Sequence, residues 1–233
     1  MHVTVTAILL IVVPLAFNVA FLELGRAFDY PAVLRKPPDE ILRRFAAGGS
    51  GLVLRWEALL ASAVLMLPLV AMLAVVLRAS LALTALAIVV GSAAGLVQMI
   101  GLVRWPFAVP ELARRYDEAP SGPEGDATRS SVIVVFSTLH RLLGVGIGEH
   151  LGYLLTGVWT LLVSASILSS HQLPDWLAYL GVPIGLAMLV GTLEFVGPNE
   201  RDGWALAGRI VPIAYLGWSV WLLVMGVVLL IAR

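Results

Sequence analysis

Cysteine is absent from the 233 residues. That removes disulfides, thiolate metal sites and cysteine nucleophiles, and leaves the redox compartment open. Lysine is nearly absent too: of 15 basic residues only Lys36 is Lys, so no late helix offers a lysine for a retinal-type Schiff base. Charge is scarce altogether. Asp, Glu, Lys and Arg make up 13% of the chain, where a soluble domain carries about 25%. The formal net charge is zero, which gives no case for nucleic-acid binding. No Asp lies inside an apolar run, so a membrane-embedded Ser–His–Asp arrangement cannot be assembled. The HExxH motif and the Glu-x-x-His spacing of helical di-iron sites are also missing.

What remains is apolar. Hydrophobic residues are 60% of the chain and the mean hydropathy is +0.95, the composition of an integral membrane protein. A spanning helix needs roughly 20 apolar residues, and six runs meet that length: about 3–24, 52–77, 81–103, 146–168, 176–195 and 204–232. The expected fold is an all-α membrane protein, a bundle of six transmembrane helices forming a single domain over residues 1–233. Residues 1–25 have the apolarity of a signal peptide but no basic leading region, and read as a retained first span.

Two short interfacial helices are expected on the cytoplasmic side, over about 38–47 and 131–143. The first begins at Pro38, has Asp39 and Glu40 at its positive end, and stops at Gly48 and Gly49. A bend among Gly144, Gly146 and Gly148 should separate the second from span four. Residues 110–115 suit another short surface helix, and 117–129, polar and rich in Pro and Gly, read as a loop.

Arginine sets the orientation. The first loop holds Arg26, Arg35, Lys36, Arg43 and Arg44; the third holds Arg104, Arg114, Arg115 and Arg129; the fifth holds Arg201. The second has only Arg78 and the fourth has none. Loops one, three and five then face the cytoplasm and both termini lie outside. A seven-span arrangement ranks second, because it puts Arg201 outside.

On this topology the polar residues of the spans gather in the cytoplasmic half: Glu23, Glu57, Gln98, Arg104, His140, Glu149, His150, Tyr153 and Glu194. They are the candidate ligand-binding residues of one polar cavity open to the cytoplasm. Glu149 and His150 stand out because ionisable groups inside an apolar run are costly and mark function by default. Glu149 and Tyr153 share a face at i, i+4, whereas His150 lies about 100° round the helix from Glu149. One helix cannot aim both at a single ion. His140, Glu149 and His150 are weak metal candidates whose ligand types suit iron, manganese or zinc, but their spacing supports no metal site and no cofactor is assigned. The competing reading is a structural ion-pair network in which Arg55, Arg104 and Arg141 neutralise Glu57, Glu149 and Glu194. Gly144, Gly148 and Gly152, spaced by four, suit close helix packing.

Four stretches carry a family resemblance: FDYPAVLRKPPDEILRRF, GLVRWPFAVPELARRY, GEHLGYLLTGVWT and the closing AYLGWSVWLLVMGVVLL. In this order they resemble a bacterial family of multi-pass membrane proteins, domain-of-unknown-function family 4386. The most distinctive stretch comprises Gly148, Glu149, Leu151, Gly152, Tyr153, Leu154, Leu155 and Trp159. The resemblance implies a small helical bundle in a bacterial cytoplasmic membrane and supplies no activity. The expected function is therefore binding of a small ligand or ion in the polar cavity. The alternatives are a membrane-embedded, metal-dependent enzyme acting on a lipid-like substrate, or an accessory subunit of a homo-oligomer or larger membrane complex. The lipid bilayer is the one partner expected on every reading.

Overall fold

The computed structural model describes residues 1–231, and among them there are seven α-helices and no strand. Helix α1 (His2–Phe28) ends where Asp29 turns left-handed at φ 58°, its N–H and that of Tyr30 closing back onto the carbonyls of Gly25 and Leu24. A cis Tyr30–Pro31 peptide and a 3₁₀ turn (Ala32–Arg35) follow. The buried Val33 anchors this loop against the bundle, so the loop carries Tyr30 and Arg35 inward.

Helix α2 (Pro38–Leu77) opens with Pro38, Asp39 and Glu40, as its start signals require, and breaks at Gly49 (φ 54°, ψ −154°). Helices over both intervals, 38–47 and 52–77, are there, joined through that glycine, and Ile41, Leu42 and Phe45 of the first are buried within the bundle. Helix α3 (Leu81–Asp117) differs from expectation. The separate surface helix at 110–115 does not exist; one helix of 37 residues runs through Pro106 and Pro110. It persists because Trp105, Val109, Ala113 and Tyr116, at helical spacing, bury one face against neighbouring helices.

Helix α4 (Pro123–Leu139) starts inside the stretch read as a loop, with Pro123, Glu124 and Asp126 in its first turn. It passes without a break into a π-helical segment (His140–Leu151) and then α5 (Gly152–Ser170), a helical run of 48 residues. The expected bend is replaced by widened turns, such as the one in which the Gly152 N–H bonds the Ile147 carbonyl. Gly144, Gly148 and Gly152 all face α3, meeting Arg104, the Gly101 backbone and Gln98. Helix α6 (Asp175–Gly191) is shorter than the run 176–195. Thr192 donates its hydroxyl to the Leu189 carbonyl in a tight final turn, and Glu194 sits in the turn that follows. Helix α7 (Ala205–Ile231) is the last of the described elements.

Helices α1, α2, α3, α5, α6 and α7 pack in a closed ring, each on the next and α7 back on α1. Their outward faces carry large apolar side chains such as Val19, Leu54, Val89 and Ile213 at 60–72% exposure. Apolar surface covering a bundle on all sides is the signature of a membrane protein. Among the described residues five helical segments are long and apolar enough to cross a bilayer: His2–Phe28, Pro38–Leu77, Leu81–Asp117, Pro123–Ser170 and Ala205–Ile231. Asp175–Gly191 is apolar and of 17 residues.

The interior has two storeys. One core cluster fills the half of the bundle near Arg78 with Leu10, Met66, Trp159, Trp218, Trp221 and Met225. The other fills the arginine-rich end with Phe28, Phe45, Trp56, Trp105 and Phe136. Trp56 and Trp105 stack face to face, 4.3 Å apart and 6° from parallel.

Candidate functional site

Inside the ring, at the arginine-rich end, lies a cavity of about 770 Å³. Helix α1 contributes Asn18, α3 contributes Gln98 and Arg104, the π segment and α5 contribute Glu149 and Tyr153, and α7 contributes Tyr215. Tyr30 and Arg35 enter from the α1–α2 loop and Glu194 from the turn after α6. A second recess of about 770 Å³ lies on the other side of Glu149, Tyr153 and Glu194, lined also by His150 and Arg141. Glu149 is thus part of the wall between the two. A third opening of about 600 Å³ shares Arg35 and Glu194 with the main cavity and is lined by Lys36, His140, Arg141 and Arg201.

Arg35 organises the charge here. Its Nη2 lies 2.9 Å from Glu149 Oε2 and 3.6 Å from Glu194 Oε1, and its guanidinium stands 4.5 Å over the Phe195 ring. Burial disfavours the Arg35 charge, but Glu149 and then Glu194 outweigh that and hold its pKa up. Burial also raises the Glu194 carboxyl; Arg35 opposes the rise and Glu149 adds to it. Burial pushes the Tyr30 hydroxyl up to about 12, with Glu149 adding to the shift, so Tyr30 is a neutral donor at physiological pH.

The ion pairs differ from those expected. Arg35, read from the sequence only as a loop charge, takes both Glu149 and Glu194. Arg141 pairs with Glu200 and Arg55 approaches Glu23 at 3.8 Å. Arg104 has no carboxylate within ion-pair distance among the described residues. It is 6% exposed, donates Nη1 to the Gly101 carbonyl, stands 5.1 Å over the Trp105 ring, and leaves its Nε buried without a partner.

Of the sequence candidates, Gln98, Arg104, Glu149, Tyr153 and Glu194 line the main cavity. Gln98 donates to the Thr156 hydroxyl at 3.2 Å. His140 and His150 are turned to backbone carbonyls, Nε2 to Leu34 at 3.1 Å and Nδ1 to Thr192 at 2.7 Å. No cluster of three or more His, Cys, Asp or Glu suited to a metal forms among the described residues. Glu57 points outward and Glu23 lies in a groove between α1 and α2 with Arg55, so neither belongs to the cavity. Asn18, Tyr30, Arg35 and Tyr215 were missed. Asn18 could have been found, as the one amide within the first apolar run; the others carry no local signal.

The pairing predicts a mutational cycle. Glu149→Gln should lower stability by about 1–2 kcal/mol, less than a fully buried pair because the Arg35 side chain is 43% exposed. The double change with Arg35→Gln should recover part of that loss, and the double change with Arg104→Gln none of it. Thermal unfolding in detergent reads the cycle; rescue by Arg104→Gln instead would show that Arg35 is not the partner.

A ring of apolar helices around a polar cavity at one end defines a multi-pass helical membrane protein. The chain belongs to the family described as Domain of unknown function (DUF4386), which matches residues 5–226. No curated protein and no solved structure matches it.

Proposed function

We propose that this is a six-span protein of the bacterial cytoplasmic membrane that binds a small ligand in its main cavity. Asp175–Gly191 serves as the remaining span, both termini lie outside, and the cavity opens toward the cytoplasm. The observation that carries the reading is the cavity itself, about 770 Å³ and within the roughly 300–1,000 Å³ of ligand sites. A purely structural network would close such a space, and the side chains that line it are instead a few polar groups set among apolar walls. The storey of Trp159, Trp218 and Trp221 beneath it supports a blind pocket rather than a channel. The Glu149–Arg35 pair then stands at its polar end. The single-sided site favours binding over transport, and the two histidines engaged with carbonyls favour it over metal-dependent catalysis.

The chain has no native Cys, so single cysteines report cleanly. Ser121→Cys should react with an impermeant thiol reagent only from the cytoplasmic face and Ser170→Cys only from outside. Asn18→Cys, deep in the cavity, should react with a small reagent from the cytoplasmic face alone, because a thiolate forms only where water reaches. Labelling of Ser121→Cys and Ser170→Cys from one side would overturn the topology. An Asn18→Cys inert from both faces would overturn the binding cavity.

A further inference from the structure

We infer that the ligand is an amphiphile with one singly charged anionic head, a carboxylate, held at Arg104, with its chain leaving between α1 and α7. This rests on reading the cavity as a binding site.

The head follows from the charges. The cavity is lined by two cations and two carboxylates, formally balanced, but Arg35 engages both Glu149 and Glu194. Arg104 is left buried at 6% exposure with one hydrogen bond to the Gly101 carbonyl, an aromatic face beneath it and a buried Nε with no partner. An unpaired buried cation is expensive. A guanidinium is a planar fork that matches carboxylate or phosphate with two parallel hydrogen bonds. The two acids nearby repel a second negative charge, which limits the head to a single one. Tyr30, Gln98 and Asn18 add neutral polar groups to the same walls.

The chain follows from the walls. At the far end α1 and α7 touch backbone to backbone: a Cβ on Gly226 would lie 2.9 Å from the Ala7 carbonyl oxygen. Toward the arginine-rich end the cavity comes between them. Phe17, Phe21, Leu22, Pro212 and Leu216 line it there, and Leu22 and Leu216 are also 58% and 62% exposed on the bundle's outer face. Deeper in, the seam is closed where Asn18 Nδ2 donates to the Ser219 hydroxyl at 3.0 Å and Phe17 stacks on Tyr215; nearer the arginine-rich end the cavity reaches the bilayer along the α1–α7 seam between Leu22 and Leu216, through a rim of apolar side chains. A water-soluble ligand gains nothing from such a rim; an alkyl chain gains burial in the cavity while its far end stays in lipid.

Native mass spectrometry of the full chain in dodecyl maltoside, titrated with dodecanoate, dodecanol or acetate, tests this. Dodecanoate should bind at about one per chain and at least about tenfold more tightly than either control, the cost of losing one charge-assisted contact. Arg104→Gln should abolish that preference for the charged head. Leu216→Trp, at an exposed position that leaves folding intact, should weaken dodecanoate by about fivefold or more by blocking the seam. Where Arg104→Gln fails to fold, the head-group comparison on wild type and the Leu216→Trp variant decide. Equal binding of dodecanol would overturn the anionic head, and equal binding of acetate would overturn the chain and indicate a site for a free anion. If Asn18→Cys is labelled from the cytoplasmic face yet none of the three probes binds, the amphiphile is wrong while the open cavity stands. An unreactive Asn18→Cys removes both.

Discussion

Replacing Trp105 with alanine should lower stability by about 3–5 kcal/mol, the cost of emptying a fully buried aromatic site. Trp105 is 1% exposed. It stacks on Trp56, lies 5.9 Å from Phe45 in a second stacked contact, and receives the edges of Phe28 and Phe136. It is thus the centre of the arginine-rich storey, where the first turns of α2, the long end of α3 and α4 meet. It also stands beneath the Arg104 guanidinium, so its loss removes an aromatic face that eases that buried charge. Trp105→Phe keeps most of the ring contact and should cost less than half as much. Denaturant unfolding in detergent gives the stability. Near-ultraviolet circular dichroism should show the signal of the stacked pair lost in Trp105→Ala and equally in Trp56→Phe. A Trp105→Ala protein as stable as wild type would mean that this storey is not a second core.

Gly101→Val is the other large effect. A Cβ at Gly101 would lie 2.7 Å from the Gly148 Cα and 3.1 Å from the Leu143 carbonyl oxygen. Overpacking usually costs about 1–3 kcal/mol, and here the upper end or more is expected, because backbone on the opposite side cannot rotate away. The change should push the π segment off α3 and with it move Glu149 relative to Arg104. Gly146→Ala is the control within the same segment. Its Cβ would lie 3.6 Å from the Arg141 carbonyl oxygen, ordinary contact, and Ala is favoured over Gly in a helix by about 0.5–1 kcal/mol. Thermal unfolding should therefore separate the two variants by several degrees or more, Gly101→Val below wild type and Gly146→Ala at or above it. If both melt alike, α3 and the π segment do not approach as closely as Gly101 and Gly148 indicate.

The membrane class, the family and the arginine-rich end were legible in the sequence. Each rests on a quantity that adds up along the chain: the length of apolar runs, the order of distinctive segments, the count of arginines per loop. The start of the helix at Pro38 and its break at Gly49 were legible too, because capping and a glycine at positive φ are local. So was the packing role of Gly144, Gly148 and Gly152, through their spacing.

The pairings and the facing of the helices were decided only by the tertiary structure. In a soluble bundle one stripe of a helix is apolar and that stripe points inward. Here lipid is as apolar as the core, so a spanning helix is apolar all round and its sequence does not say which face turns in. Glu57 could therefore be counted with the cavity although it points outward. The partner of Glu149 had the same origin. Arg104, on a neighbouring helix at the right depth, looked suitable, but the turn after α1 folds Arg35 inward and reaches it first. Helix ends were hidden for a related reason: the apolar run stops near residue 103 and residues 110–115 read as a separate surface helix, and only burial of Trp105, Val109 and Ala113 against α2 and α4 keeps α3 helical through Pro106 and Pro110. What a residue type does over a long stretch belongs to the sequence. Which neighbour it meets is settled by rotation and contact between helices, and those are written nowhere along a single chain.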